Sequence, residues 1–415
     1  EVVPDAKHNW INLTSNDFDS LIPLASKETK ATKVGAKERT IFKLFSLGVV
    51  TARDEWVYDD NKKHLEAKVQ WLINAYNADL IKLKAHQNSD NLVEMLDTSI
   101  KWTRAVKNDF RRGIAFAFKS DDVIRATYLP FVESYLYFNK NLNEMQYQLG
   151  SLFTGAPNPT IAFLCVFSSN PLAALAVDQP FDYCLLKMGN GGTQAVPFWY
   201  FDASGNKREN ITDWALNKFK EYYKPETGTV KDARKITKEA IFHYCYAVLH
   251  DPVYREKYAQ NLKREFPRIP FYPNFWQWAE WGRALMDLHI SYEAVEPFAL
   301  KRTDIPDEKA RAAGQAPKAM LKADKETGRI QLDSETTLSG IPAAAWDYKL
   351  GNRSALEWIL GQYKEKKPKD PTIREKFDTY RFADYKEKVI DLLRRVTTVS
   401  VRTVEITRQM EALGR

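Results

Sequence analysis

Residues 235–292 of this chain read KITKEAIFHYCYAVLHDPVYREKYAQNLKREFPRIPFYPNFWQWAEWGRALMDLHISY, and no other stretch carries so many folding signals. Thr237 can cap a helix, because its hydroxyl can accept a hydrogen bond from a free backbone N–H of the first turn. Apolar side chains then recur at helical spacing, at Ile241, Cys245, Val248 and Leu249. Pro252 is expected to end this helix at Asp251, since a proline disfavours the helical conformation in the residue before it.

The rest of this stretch predicts two more helices joined by an extended strap. The second helix has one apolar face, formed by Tyr254, Tyr258 and Leu262. The strap follows because Pro267, Pro270 and Pro273 fix the backbone outside the helical region. The third helix is aromatic-rich and is expected to bury Phe275, Trp278, Ala279, Leu285, Leu288 and Tyr292. No nucleophile and general base recur together here, which is typical of a recognition scaffold.

The same stretch resembles the C-terminal specificity region of large restriction-modification enzymes. In that region the signature I-F-x-Y-x-Y-A-V-L-H-x-P-x-Y-R-x-x-Y, followed by P-R-I-P, comes after an adenine methyltransferase domain, and here it runs from Ile241 to Pro270. Three further segments of the chain resemble sequences of the Type ISP class of these enzymes. They are residues 41–60 (IFKLFSLGVVTARDEWVYDD), 128–138 (YLPFVESYLYF) and 346–360 (WDYKLGNRSALEWIL). These motifs are structural signatures and not a catalytic fingerprint.

Type ISP enzymes join a nuclease, a helicase-like motor, a methyltransferase and a target recognition domain in one polypeptide. The resemblance implies that the parent uses S-adenosylmethionine for methylation and ATP with magnesium for translocation and cleavage, with none of these cofactors bound to this fragment. Residues 1–20, which open EVVPDAKHNWINL, are expected to be a linker from the methyltransferase domain. Residues 21–300 are then the main target recognition domain, and residues 301–415 are a hairpin plus a C-terminal helical part of the same specificity region.

Composition places the chain among ordinary globular proteins. It has 415 residues, of which 44% are hydrophobic and 28% charged, and no apolar run approaches the roughly 18 residues that a membrane span needs. Cys165, Cys184 and Cys245 are far apart in apolar or aromatic surroundings, which favours free thiols and fits the cytoplasm. A net charge of +7 is compatible with nucleic acid and equally with a solvated surface.

The periodicity along the chain predicts an α+β fold of mixed helices and short, mostly antiparallel strands. Helices are expected over residues 64–76, 91–112 and 384–413, and Gly113 is well placed to stop the second of them. Buried strands are expected over residues 41–50, 160–168 and 196–201. Residues 322–332 predict a hairpin around a Lys-Glu-Thr-Gly turn, and residues 364–370 (KEKKPKD) a flexible surface loop.

The motifs of a catalytic domain are missing from the sequence. It contains neither the Asn-Pro-Pro-Tyr loop of an adenine methyltransferase nor the phosphate-binding Gly-x-x-x-x-Gly-Lys loop of a motor. His243 and His250 are seven residues apart on a predicted helix, without the context of a metal site, so core or surface histidines are expected. Glu66-Ala67-Lys68 resembles part of a nuclease motif but falls on a predicted helix, whereas that chemistry needs it on a strand.

Basic residues recur on the predicted helix that ends before Gly113. One side of this helix carries Lys101, Arg104, Lys107, Arg111 and Arg112, and the other side carries Met95, Trp102, Val106 and Phe110. A cationic face of this kind can neutralise successive phosphates, which provides affinity without sequence information. The alternative is a solvated helix side.

Base recognition needs polar side chains on loops that reach the major groove. The candidates are Arg53 and Asp54 after the first strand, Gln194 beside a glycine-rich loop, and Asn352 and Arg353 before a helix. Arg53 and Asp54 can instead pair with each other. Trp276, Trp278 and Trp281 on one predicted helix are more typical of a core than of a base-stacking surface.

The first hypothesis is a DNA target recognition domain of a Type ISP-like enzyme. It binds a short asymmetric duplex site and positions an adenine for the adjoining methyltransferase. The second hypothesis, from another class, is a structural or protein-interaction module that couples the motor and methyltransferase domains. A third, an independent enzyme, has little support from the residues.

Overall fold

The computed structural model of this chain describes residues 14, 16–26, 39–85, 96–166, 168, 170–186, 191–224 and 235–413. Helices and several small antiparallel sheets share these residues, so the predicted α+β class is confirmed. The helices are α1 (Asp54–Val57), α2 (Lys62–Ala85), α3 (Arg104–Arg111), α4 (Leu149–Leu152), α5 (Asp213–Tyr222), α6 (Lys238–Val248), α7 (Pro252–Lys257), α8 (Ala259–Leu262), α9 (Phe275–Ile290), α10 (Glu308–Ala312), α11 (Ala344–Asp347), α12 (Ala355–Gln362), α13 (Pro371–Lys376) and α14 (Phe382–Ala412).

Seventeen short strands lie between these helices in the described residues. They are β1 (Ile22–Pro23), β2 (Ser46–Leu47), β3 (Tyr58–Asp59), β4 (Val123–Leu129), β5 (Val132–Tyr137), β6 (Thr160–Leu164), β7 (Ala173–Val177), β8 (Gln194–Pro197), β9 (Trp199–Phe201), β10 (Lys207–Glu209), β11 (Arg268–Ile269), β12 (Lys301–Asp304), β13 (Ala319–Asp324), β14 (Arg329–Asp333), β15 (Thr336–Ser339), β16 (Lys349–Leu350) and β17 (Arg353–Ser354). The larger sheets have the strand orders β2-β8-β6-β7, β12-β15-β14-β13 and β3-β5-β4, and the remaining strands form two-stranded pairs.

The sheet β2-β8-β6-β7, here called the central sheet, is buried on both faces. Successive side chains of a strand point to opposite faces, and along β6 they alternate between two hydrophobic cores. Ile161 and Phe163 enter one core, which also contains α6 and α9, whereas Ala162 and Leu164 enter the other, which also contains α2 and most of α14. This double burial explains why residues 160–168 read as an almost continuous apolar run.

The first predicted strand is shorter in the structure than in the prediction. Of residues 41–50, only β2 belongs to a strand, and Phe42, Val49 and Val50 make isolated bridges. Directly after β2, a Cβ built on Gly48 would stand 2.5 Å from the backbone of Asp182, so the chain needs a glycine there. The strand predicted over residues 160–168 is confirmed as β6 but ends at Leu164, and the strand predicted over residues 196–201 is divided between the end of β8 and β9.

The helix pair α6 and α9 lies at the centre of the molecule. The Thr237 hydroxyl accepts a hydrogen bond from Ala240 N, so the predicted cap is confirmed, and every residue from 240 to 248 is buried. Gly282 of α9 packs so closely on α6 that a Cβ on it would lie 1.8 Å from the carbonyl oxygen of His243. Phe275, Trp278, Ala279, Leu285, Leu288 and Tyr292 are all buried, as predicted.

The end predicted for the first helix was wrong by three residues. Helix α6 ends at Val248, not at Asp251. The carboxylate of Asp251 instead accepts hydrogen bonds from Val253 N and Tyr254 N, and Pro252 takes the first position of α7. A proline there loses no helical hydrogen bond, so it begins a helix instead of merely ending one. The predicted second helix is divided at Tyr258 into α7 and α8. Tyr254, Tyr258 and Leu262 are nevertheless buried, and the strap after them is extended, as predicted.

Helix α3 is shorter than the predicted helix over residues 91–112. It begins at Arg104, and residues 91–95 lie outside the described residues. The preceding segment folds irregularly because the carboxylate of Asp97 accepts a bond from Ser99 N and its carbonyl accepts one from the Trp102 indole. Such local bonds compete with a helix. Gly113 adopts φ +70°, which confirms it as the stop.

The remaining elements follow the sequence closely. Strands β13 and β14 form the predicted hairpin, with Gly328 at φ +62°. The helix predicted over residues 384–413 is confirmed as α14, which runs from Phe382 to Ala412. Cys165 and Cys245 are buried and Cys184 is half-buried, and all three are free thiols, as predicted. No helix in the described part of the chain is both long enough and apolar enough for a membrane crossing.

A buried polar network ties three helices together. The Tyr246 hydroxyl lies 2.5 Å from Nδ1 of His289, and Nε2 of His289 lies 2.9 Å from the Thr403 hydroxyl on α14. Burial lowers the pKa of His289 to about 3, and the positive charge of the nearby Arg255 is a smaller cause of the same shift. Burial likewise lowers the pKa of His243 to about 4, with the charge of Arg283 as the smaller cause. Both rings are therefore neutral in the folded protein at physiological pH.

We predict that Gly282→Ala strongly destabilises the protein. The new methyl group would overlap the His243 carbonyl, so the two helices must separate, and the free energy of unfolding should fall by about 3 kcal/mol or more. Gly150→Ala is the matched control: Gly150 also lies in a helix, its nearest neighbour would be 3.7 Å away, and the change should stay within about 1 kcal/mol. Urea unfolding measures both, and equal midpoints would contradict the close approach.

The buried histidines predict acid destabilisation. Folding lowers the pKa values of both histidines, so the unfolded chain binds protons more readily than the folded chain. Their burial therefore costs no stability above the unfolded pKa near 6.5, and the free energy of unfolding decreases as the pH falls from there towards 4. Each should cost about 1.4 kcal/mol per pH unit in this window. His243→Gln should make the pH dependence of the unfolding free energy shallower by about one proton at pH 5. An unchanged slope in urea unfolding at pH 4.5, 5 and 6 would exclude this assignment.

Candidate nucleic-acid interface

Three connections of the central sheet leave it at the same end. Gln194, the first residue of β8, pairs with Leu47 at the end of β2 and with Phe163 near the end of β6. At the same level, Leu164 of β6 pairs with Ala173, the first residue of β7. The segments after β2, between β6 and β7, and before β8 therefore emerge side by side. We call this edge the loop end of the central sheet.

Gln194 is half-buried at the loop end. Its Oε1 is buried and has no hydrogen-bond partner among the described residues. The segment before it is tightly packed, because a Cβ on Gly192 would stand within 1.9 to 2.4 Å of the Tyr183 ring. The backbone leading into Gln194 is thus held in place by an aromatic ring. Gly189, which the sequence also placed in this loop, lies outside the described residues.

Asn352 lies exposed on the turn between β16 and β17, and Arg353 is exposed as the first residue of β17, next to the loop end. A Cβ on Gly351 would stand 3.9 Å from the Cβ of Asn170, which belongs to the connection between β6 and β7. The turn is followed by a capping box, in which Ser354 and Glu357 exchange hydrogen bonds at the start of α12. The guanidinium of Arg353 lies 5.6 Å from the ring centre of Trp358. The fold therefore holds this turn in a fixed position.

A basic cluster around Arg353 was missed by the sequence analysis. Burial lowers the pKa of Lys366, and the positive charges of Arg353 and Lys364 lower it further. The loop that carries these lysines is anchored by Glu55, whose two carboxylate oxygens each accept a backbone N–H, from Lys369 and Asp370, at 2.8 Å. The run KEKKPKD was its signal in the sequence, but only the fold brings that run beside Arg353.

Asp54 lines a cavity of about 290 Å³ next to this basic cluster. It accepts hydrogen bonds from the hydroxyls of Thr51 and Tyr128. Other residues that line the cavity are Tyr58, Asp60, Tyr385, Lys364 and Lys366. Burial raises the pKa of Asp60, whose Oδ1 has no hydrogen-bond partner among the described residues. The cavity thus brings carboxylate acceptors and lysine side chains into one lining.

Arg53 is in the interior and not on a loop surface, which corrects its placement in the sequence analysis. The side chain is 1% exposed, and Nη2 donates a hydrogen bond to the Thr103 hydroxyl. Its Nε and Nη1 atoms have no hydrogen-bond partner among the described residues. Burial lowers its pKa to about 10, and Glu144 partly offsets that effect. In this conformation Arg53 supports the segment before α3 and does not reach solvent.

Helix α3 presents the cationic face expected from its sequence. Val106 and Phe110 are buried, while the exposed side of the helix carries Arg104, Lys107 and Arg111. Lys101 is exposed on the segment before the helix, and Arg112 is exposed at its C-terminal end. Arg104 forms an ion pair of 2.9 Å with Glu144, and Arg112 one of 3.4 Å with Asp109, so part of this charge is neutralised. Lys84 extends the surface, because its Cε lies 4.0 Å from the position of a Cβ on Gly113.

Glu144 connects α3 to the loop end. Its carboxylate accepts hydrogen bonds from Arg104 Nε at 2.9 Å and Ala105 N at 3.0 Å. Burial acts to raise the pKa of Glu144, but the bonds from Ala105, Thr103 and Arg104 outweigh it and the pKa is lowered. The next residue, Met145, forms a β-bridge with Val50, which follows β2. The cationic face and the loop end therefore belong to one continuous surface.

The other residues considered from the sequence are structural. His250 is buried, with Nδ1 2.9 Å from the Tyr246 carbonyl, and His243 packs against α9. Trp278 and Trp281 are buried and Trp276 is half-buried, which fits the core interpretation. Glu66-Ala67-Lys68 lies on α2, as predicted, and Lys68 is buried in an ion pair with Asp59 at 2.7 Å. The described residues contain no group of three or more potential metal ligands.

Comparison with known proteins gives a family match over most of the chain. The model of the Type ISP C-terminal specificity domain matches residues 40–392. No curated protein matches the sequence significantly. Among solved structures, the DrdV–DNA complex is 47% identical over 100% of this chain, with a TM-score of 0.88. A nuclease-deletion mutant of the Type ISP enzyme LlaGI, in complex with a DNA substrate mimic, is 26% identical over 99% of the chain, with a TM-score of 0.78.

The ATP-dependent Type ISP enzyme LlaBIII bound to DNA shares the fold, with 24% identity over 99% of this chain and a TM-score of 0.78. All three relatives are much longer than this chain. It spans 40% of the DrdV chain, 36% of the LlaGI chain and 25% of the LlaBIII chain. The similarity therefore covers one portion of each relative.

Proposed function

Because this chain belongs to the family of Type ISP C-terminal specificity domains, we propose that it recognises the DNA target sequence of a Type ISP restriction-modification enzyme. The observation that carries this proposal is the continuous surface formed by α3 and the loop end of the central sheet. It joins exposed cations to polar side chains on loops that the fold holds in place. The relatives DrdV, LlaGI and LlaBIII, each in complex with DNA or a DNA mimic, support it.

The two kinds of residue on this surface have different roles in the proposal. The cations of α3 neutralise backbone phosphates, which orients the duplex without reading its sequence. Gln194 and Asn352 are amides, and an amide can make two hydrogen bonds to an adenine in the major groove. Arg353 can make the corresponding pair of bonds to a guanine. Asp54 is a candidate acceptor for an amino group of a base, since it is exposed and lines the same cavity as the lysine loop.

The basic cluster of Arg353, Lys364 and Lys366 supports a second phosphate contact. Like charges held together repel each other, and the lowered pKa of Lys366 reflects burial and this repulsion. A bound phosphate would relieve the repulsion and favour the charged form of the lysine. In the proposal, this cluster and the α3 face hold the duplex on two sides of the base-reading loops.

The role of this chain in a larger enzyme follows the same proposal. The parent methylates an adenine with S-adenosylmethionine and uses ATP and magnesium for translocation and cleavage, and this chain positions the target adenine for the methyltransferase. Residues 1–20 are the linker, and residues 21–300 and 301–415 are two parts of one specificity region. In support, side chains from both parts, such as Leu65 and Leu393, share one hydrophobic core. The chain itself supplies binding and no catalytic step.

The loss of two cations from α3 is expected to weaken binding to all duplexes alike. Lys107→Ala combined with Arg111→Ala should reduce the magnitude of the negative slope of log affinity against log salt concentration by about 2, because two phosphate contacts are lost. The matched control, Lys218→Ala with Lys220→Ala, removes two lysines from α5. It therefore has the same net charge as the α3 double variant. Fluorescence anisotropy at several salt concentrations measures the slopes. If both pairs change the slope equally, the charge acts non-specifically and α3 is not the contact.

Sequence recognition itself is tested by selection from a pool of duplexes with a randomised centre. The chain should enrich one short asymmetric sequence over its scrambled form. Asn352→Ala or Gln194→Ala should relax the preference at single positions, by about 1 to 3 kcal/mol of discrimination for each lost pair of bonds. Equal affinity of the wild-type chain for selected and scrambled duplexes would contradict the proposal. It would favour the second hypothesis, a module that couples other domains.

A further inference from the structure

Two apolar side chains are exposed beside the cationic face of α3. Met145 is 43% exposed and Tyr147 is 36% exposed, although both are large enough to be buried at a considerable gain. They lie on residues 144–148, which we call the wedge loop. The first residue of this loop, Glu144, is the one that pairs with Arg104 and with the backbone at the start of α3. The exposed side chains are therefore next to the proposed phosphate contacts.

The wedge loop is firmly held at both ends. Met145 exchanges two backbone hydrogen bonds with Val50, at 2.8 and 3.0 Å. Gln148 N donates a hydrogen bond of 3.2 Å to the Ser46 hydroxyl on β2. Beyond the loop, α4 begins at Leu149 and buries that residue in the core. The exposed rings and chains are thus presented by a fixed backbone and not by a mobile tip.

Tyr147 holds a backbone conformation that is costly for its residue type. Its φ is +48°, in the left-handed region, where glycine and asparagine are favoured and a bulky aromatic residue is uncommon. Strained residues of this kind persist where the surrounding structure over-determines them, and they cluster at binding and catalytic sites. Here the strain holds an aromatic ring outward at a position where glycine would turn the chain more easily.

The position of Tyr147 also relates it to the candidate base-reading residues. Burial and the neighbouring Tyr183 raise its pKa. Tyr183 in turn packs on Gly192, two residues before Gln194. Tyr147 is therefore close to Tyr183, the residue that packs on the segment leading to Gln194.

We propose that Met145 and Tyr147 form a wedge that opens a base step of the bound duplex, with the Tyr147 ring stacked on an exposed base. This inference rests on the proposed DNA recognition and deepens it by naming residues that deform the duplex. Apolar side chains inserted between base steps unstack them, and aromatic rings then stack on any base. The positive charge beside the wedge fits a polyanion, so we assign the exposed pair to a duplex and not to an apolar protein partner.

The test uses the duplex recovered by selection and two variants of one residue. Tyr147→Gly removes the ring and also relieves the left-handed strain, so the variant should fold with an unchanged or higher melting temperature. Its affinity for the selected duplex should fall about 5- to 100-fold, the range of one lost aromatic stack. The salt slope should remain that of the wild type, because no phosphate contact is lost. Tyr147→Phe keeps the ring and should bind the selected duplex with the affinity of the wild type.

Permanganate reactivity reads the deformation directly, because unstacked thymines react faster than stacked ones. Duplexes derived from the selected one should carry a thymine at each central position in turn. The wild-type chain should give at least one hyperreactive thymine, which Tyr147→Gly abolishes and Tyr147→Phe restores. Tyr222→Ala, which removes a 44% exposed tyrosine from α5, is the matched control and should leave both readouts unchanged.

The possible failures are distinguishable. If Tyr147→Gly binds as tightly as the wild type, or if no thymine becomes hyperreactive with the wild type, the wedge is wrong. In that case the proposed function still stands whenever the wild-type chain prefers the selected duplex and the double variant of Lys107 and Arg111 lowers the salt slope. If the wild-type chain has no preference and no salt dependence, the proposed function fails and the wedge fails with it.

Discussion

The close approach of α6 and α9 at Gly282 fixes how the two core helices pack against each other. The missing side chain lets the α9 backbone pack against the His243 carbonyl, and no larger residue fits there. The helix pair is then fixed to the central sheet, because the Tyr246 hydroxyl of α6 accepts a hydrogen bond of 2.7 Å from Ala176 N on β7. His289 carries the same network on to Thr403 of α14. A strand, two core helices and the long C-terminal helix are therefore positioned together.

The central sheet determines which loops lie together on the surface. Its register places the ends of β2 and β6 and the starts of β7 and β8 at one level, so three connections emerge at the same end. The β16–β17 turn joins them through Gly351 and Asn170, and α3 joins them through Glu144. A rigid scaffold that carries polar loops is well suited to recognition, because binding then orders few new groups.

Local signals in the sequence were sufficient for most elements, and contacts between distant residues were not visible in it. The Thr237 cap, the stop at Gly113 and the hairpin at Gly328 depend on neighbouring residues, and each is confirmed. The end of α6 was wrong because Asp251 caps the next helix. Arg53 was placed on the surface because it stands in a charged run, yet its partner Thr103 is 50 residues away. The cluster of Lys366 with Arg353 and the strain at Tyr147 likewise depend on the tertiary fold.

Amide hydrogen exchange, with and without the selected duplex, would show whether α3 and the loop end form the DNA-binding surface, because it maps the contact surface along the whole chain without substitutions. Protection on binding is expected to be concentrated in α3 and the segment before it, in the wedge loop, and in residues 191–194, 351–353 and 364–370. These segments are distant in the sequence, and only the fold brings them to the surface around the loop end of the central sheet. Protection confined to other surfaces, such as α5, or no protection with a duplex that the chain binds, would contradict it.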